Sequence, residues 1–87
     1  MTLKEFYESQ IEAKTRSLDF FDSRIEWYNK RLKESREVDK RISEKNGEKL
    51  KSFATRDNEK WRSYYYRQRK KYKAEIAEYQ RKLASEN

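Results

Sequence analysis

Eighty-seven residues leave room for one domain, and with 33% of them hydrophobic and 45% charged the chain has little apolar material for a core of its own. It contains no Cys and no His, which excludes disulfides, thiolate chemistry, the common zinc sites and the His-dependent catalytic triads. The net charge of +7 points to a negatively charged partner.

A chain this rich in charge risks staying disordered, because little apolar burial opposes the entropy of folding. The 13 aromatic residues (2 Trp, 7 Tyr, 4 Phe) argue against that and for a helical scaffold that oligomerises or orders on a partner. No apolar run approaches the roughly 18 residues needed to span a bilayer. The mixed-charge start lacks an apolar signal region, and Met1 fits a complete small reading frame. The expectation is a cytoplasmic protein without cofactor or metal.

In chain order, Thr2-Leu3-Lys4-Glu5 reads as a capping box opening a helix. Ile11, Leu18, Ile25 and Leu32 then lie seven apart. Tyr7, Phe21, Tyr28 and Ile42 occupy the companion heptad position, with Lys14 and Ser35 in its gaps. Pro is absent and the single Gly follows Asn46, so the spacing predicts one long helix over 3–45 and a turn at 46–47. A second helix is expected over 48–84, with Ser52, Thr55, Asp57 and Asn58 as the place where its start can fray.

Folding back at Gly47 sets Leu32 against Trp61, Tyr28 against Tyr65, Ile25 against Gln68 and Phe21 against Tyr72. Toward the open end it sets Leu18 against Ile76, Lys14 against Tyr79 and Ile11 against Leu83. Two independently read seams thus agree, and the expected fold is all-α: a long antiparallel, coiled-coil-like helical hairpin with arms of about 60 Å at 1.5 Å per residue. The tip has only Val38, Ile42, Leu50, Phe53 and Ala54 to pack, and should be the loosest part.

Phe6, Ala13, Phe20 and Trp27 form another seven-residue row, turned well over 100° from the hairpin seam at about 100° per residue. Single surface aromatics are ordinary, but Phe6, Phe20 and Trp27 in one row predict an interface, most simply with a second copy in a helical bundle.

The strongest compositional signal is Lys60 to Lys73, KWRSYYYRQRKKYK. It holds seven cations and no acid; without them the 23 basic and 16 acidic residues of the chain would balance. With Trp61, Tyr65, Gln68, Tyr72 and Tyr79 facing inward, Arg62, Tyr66, Arg69, Lys70 and Lys73 line one outer flank and Lys60, Arg67 and Lys71 the other. Cations attract phosphates, and Tyr66 is placed to stack on an unpaired base. The bland alternative is a solvated face, yet elsewhere acids and bases alternate closely, as in KESREVDKR. No helix-turn-helix, zinc-finger or RRM signature is present, so binding should follow backbone and shape with little sequence preference. The competing reading is a protein module that docks its basic face on an acidic enzyme surface. Catalysis is not expected, since Asp19, Asp22, Glu26 and Glu37 each have a cation neighbour and a hairpin implies no cleft.

A small His-free and Cys-free helical chain with the block KWRSYYYRQRKKYK resembles the basic accessory proteins of T-even-type phages. Among them it is similar to the antitoxin-like inhibitors that neutralise a host RNase toxin in an RNA-dependent complex. The likeness covers size, charge and the basic block. It implies RNA and a host ribonuclease as partners, and the host cytoplasm as the setting; it assigns no individual residues.

Overall fold

The protein's computed structural model describes residues 1–86. They form two helices, α1 (Leu3–Asn46) and α2 (Phe53–Glu86), packed antiparallel along their length as a helical hairpin. The rod measures 65 × 15 × 14 Å and has a radius of gyration of 19.5 Å, against about 12 Å for a compact globule of this length. Its accessible surface is 6969 Å², where a globular monomer of this mass exposes about 5,600 Å². A two-helix rod has only one buried seam, and the apolar core reduces to Phe21, Ile25 and Leu32. Among the described residues no helix is long and apolar enough to cross a membrane.

α1 opens as its sequence indicates: the Glu5 N–H donates to Thr2 Oγ1 at 3.1 Å, satisfying one of the free amides of the first turn. It closes at Gly47, whose φ of 71° is left-handed and whose N–H returns to the Ser43 carbonyl at 2.8 Å.

The seam is a ladder of side chains seven residues apart. Phe21 packs edge-on against Tyr72 with ring centroids 5.0 Å apart, and Tyr28 stacks on Tyr65 at 5.9 Å, both in the expected register. Each ring also fills the gap between two partners, as where Phe21 reaches Tyr65 at 6.1 Å. Toward the open ends the same staggering continues, with Lys14 between Tyr79 and Tyr72. Tyr79 lies 5.7 Å from Tyr7, and Lys14 places its ammonium 4.8 Å from the Tyr72 centroid. Lys14 takes the place of a ring in the ladder, and Glu75 accepts from its Nζ at 2.6 Å. That hydrogen bond raises the Lys14 pKa above its ordinary 10.5 and lowers that of Glu75 below 4.5.

The second helix starts at Phe53, five residues later than the expected Glu48. Residues 47–52 instead cross the tip, with the Leu50 N–H on Ser43 Oγ at 2.8 Å. Ser52 is the reason. Its Oγ accepts the Thr55 N–H at 3.2 Å and its carbonyl accepts the Arg56 N–H at 3.1 Å, so a side-chain cap replaces another turn of helix.

The apolar residues expected to pack the tip do not do so: Val38 is 51% exposed and Phe53 82%. The arms meet there through Asp39, Thr55 and Asn58, all buried. Asp39 Oδ2 accepts from Thr55 Oγ1 at 2.6 Å and from the Ser52 N–H at 3.1 Å, while its Oδ1 has no hydrogen-bond partner within the protein. Asp39 stands seven residues after Leu32, so it continues the apolar stripe with a carboxylate. The Thr55 hydroxyl and then Ser52 hold its pKa below the ordinary 3.8.

Candidate nucleic-acid interface

Within Lys60–Lys73 the structure divides the cations in two. Arg62 and Arg69 lie seven apart on the seam side of α2, in line with Thr55, Ile76 and Leu83, and are half-buried. Arg69 Nε donates to Asp22 Oδ1 at 2.6 Å, and Arg62 NH1 donates to Asn29 Oδ1 at 3.0 Å. The sequence pattern puts both on the outer flank as free phosphate ligands; in the structure they clasp the arms together instead. The seam is turned toward them, which leaves Trp61, expected inside, 39% exposed at its edge. A guanidinium reaches across a seam while its stem packs within it, so helical spacing alone does not separate the two placements.

Lys60, Arg67, Lys70, Lys71 and Lys73 are exposed, and among the described residues none of the five has a carboxylate within ion-pair distance. Counting about 100° per residue from the seam, Arg67 lies on the back of α2, with Lys60 and Lys71 to one side and Lys70 and Lys73 to the other. Tyr66 is 46% exposed and stands one turn before Lys70. The back of α1 is mixed: Glu5, Glu12, Asp19 and Glu26 lie seven apart and are exposed, Glu12 is paired with Arg16, and Lys33 and Lys40 continue the row. A polyanion therefore meets its strongest attraction on the α2 side.

No family model matches the chain, and no curated protein or solved structure is detectably similar to it. The site is therefore characterised by its own chemistry alone. Among the described residues no group of three acids, Cys or His is placed to bind a metal. What the site offers is fixed positive charge on a straight helix, over about 20 Å from Lys60 to Lys73 at 1.5 Å per residue.

The expected partner row of Phe6, Phe20 and Trp27 is only partly open, at 40%, 50% and 45% exposure. Phe6 touches Tyr79 edge-on at 6.4 Å, and Phe20 touches Tyr65 at 6.1 Å. The Arg31 guanidinium lies 4.7 Å from the Trp27 ring, and that of Arg24 lies 5.3 Å from Phe20. These rings form the shoulder of the hairpin seam, half covered by their own chain.

A second basic feature lies at the tip, outside the block that the sequence singles out. An open groove of about 420 Å³ at the tip has Asp39 and Thr55 among its lining residues, together with Arg36, Lys40, Lys49 and Lys51. Glu59 pairs with Lys51 at 2.7 Å and with Arg36 at 3.5 Å, contacts that lower its pKa below 4.5, Lys51 first. These cations are spread over 36–51 and interleaved with acids, so they make no block in the sequence; only the turn of the chain gathers them.

Proposed function

We propose that the protein is a nucleic-acid-binding accessory protein, with RNA or single strands preferred, that grips the phosphate backbone through the outer face of α2 without reading sequence. The observation that carries this is the clustering of five exposed cations, Lys60, Arg67, Lys70, Lys71 and Lys73, on one acid-free stretch of α2, with no carboxylate in ion-pair distance among the described residues. Unneutralised charge held on a rigid support is what backbone binding requires. The likeness of the basic block to phage RNase-toxin inhibitors adds a host ribonuclease to this proposal, held in the cytoplasm through shared RNA.

Filter binding or gel shift with RNA and DNA tests it. If all five cations contact phosphates of a single strand, log K falls against log salt with a slope of about −3.5, or about 100-fold between 50 and 200 mM. Lys60→Glu, Arg67→Glu and Lys71→Glu together abolish retention and leave the far-UV circular dichroism and the melting temperature unchanged, because none of the three holds the arms together. Reversal of Arg69 is no substitute, since it breaks the contact with Asp22. Absence of retention of every nucleic acid at low salt removes the proposal and leaves the basic face to an acidic protein surface.

A further inference from the structure

Along one side of the seam the rings join into an unbroken cluster that crosses from arm to arm. Trp27 packs on Tyr28 at 4.7 Å and Tyr28 on Tyr65 at 5.9 Å. Tyr65 then meets Tyr64 at 5.2 Å, and Tyr64 meets Trp61 at 5.8 Å. Phe20 joins through Tyr65. Phe20, Trp27, Trp61 and Tyr64 keep between 39% and 50% of their surface in water. The hairpin has therefore buried one part of each ring and left the rest as a strip.

Cations border this strip on both arms. Arg24 and Arg31 lie over Phe20 and Trp27 on α1. On α2, Lys60 stands four residues before Tyr64 and Lys71 seven after it, so both share its helix face. The acids closest to Lys71 and Tyr79 on that arm, Glu75 and Glu78, are engaged by Lys14 and Lys82. A single-stranded nucleic acid suits the same edge in both respects: its phosphates neutralise the cations, and its unpaired bases have faces for the rings. A duplex suits it poorly, because its bases are already stacked on one another.

We infer that the strip of Phe20, Trp27, Trp61 and Tyr64 is a stacking platform for unpaired bases, so that the nucleic acid bound by the cations of α2 is a single strand running along this edge. This rests on the nucleic-acid reading and deepens it. It shifts base contact from Tyr66 to the opposite flank of α2, where Lys60 and Lys71 lie, and it gives the row of Phe6, Phe20 and Trp27 an occupant other than a second copy.

The test uses the only two tryptophans of the chain, Trp27 and Trp61, both in the strip. The full chain is titrated with a short oligouridylate and with a blunt RNA duplex of equal length, following intrinsic fluorescence and, separately, binding by anisotropy of the labelled nucleic acid. Expected is quenching by the single strand that the duplex does not reproduce at equal occupancy. Phe20→Ala with Tyr64→Ala, which keeps both reporters, should weaken the single strand by about tenfold or more and leave duplex binding unchanged, with circular dichroism confirming the hairpin. Binding of oligouridylate with unquenched fluorescence and no loss in the double variant overturns the platform while the basic-face reading stands. Retention of neither probe removes both. Sedimentation of the free protein as a dimer that Phe20→Ala with Tyr64→Ala dissociates also overturns the platform, and assigns the edge to a second copy.

Discussion

Between Phe21 and Leu32 the arms pack through a carbon interior with Arg69–Asp22 and Arg62–Asn29 at its rim; between Asp39 and Asn58 the interior itself is polar. The middle buries Phe21, Ile25 and Leu32 against the tyrosines of α2. The tip buries Asp39, Thr55 and Asn58, leaves Val38, Ile42 and Leu50 half covered and puts Phe53 in water. Both stretches belong to one seam with one spacing. The difference teaches that a heptad position says where a side chain goes, while the groups opposite it decide which chemistry is stable there. A carboxylate in the stripe is tolerated because the start of α2 presents it with an N–H and a hydroxyl, and helix starts favour negative charge.

The largest expected effect lies in the middle. Leu32→Ala removes a side chain with 1% exposure and should cost about 3 kcal/mol, read as a lowered midpoint in urea, whereas Val38→Ala one turn and a half away should cost less than about 0.5 kcal/mol. Equal costs would break the comparison, since they would mean that the tip packs through carbon after all.

Next comes the tip itself. Thr55→Val keeps the shape and deletes the hydroxyl that Asp39 accepts, and should cost about 2 kcal/mol as a hydrogen bond to a charged group. If thermal melts of this variant match the wild type, the polar latch contributes nothing.

The smallest effect is graded with pH. Asp39 and Glu59 have folded pKa values below their ordinary 3.8 and 4.5, so the stability they confer is complete above those values and is lost as pH falls through the lower, folded ones. Melting temperature should fall from about pH 5 downward. Asp39→Asn should start lower at neutral pH and fall less steeply, because its latch no longer titrates. Parallel slopes for the two proteins would assign the acid sensitivity to Glu59 and Glu75 alone.

Much of the hairpin was legible before any coordinates. Thr2 and Gly47 mark the ends of α1 because capping is local chemistry, settled within a few residues. The register of Phe21 on Tyr72 and Tyr28 on Tyr65 was legible because periodic apolar side chains in an uninterrupted helix have one face to bury. The start of α2 was legible only as a choice between Glu48 and the polar run from Ser52, and Asp39, arriving from the other arm to bind the Ser52 amide, favours the latter. The role of Arg62 and Arg69 was not legible: a charged residue at a seam position is read as surface until Asn29 and Asp22 stand opposite.

Composition and spacing by themselves determined a two-helix rod with an excess of positive charge on its returning arm, because helix periodicity and net charge are sums over the chain. Which of those cations remain free, and whether the rings beside the seam stay open to a partner, was decided by the packing of one arm on the other. Ion pairs and half-buried rings depend on distances between residues far apart in sequence, and those distances exist only once the hairpin has closed.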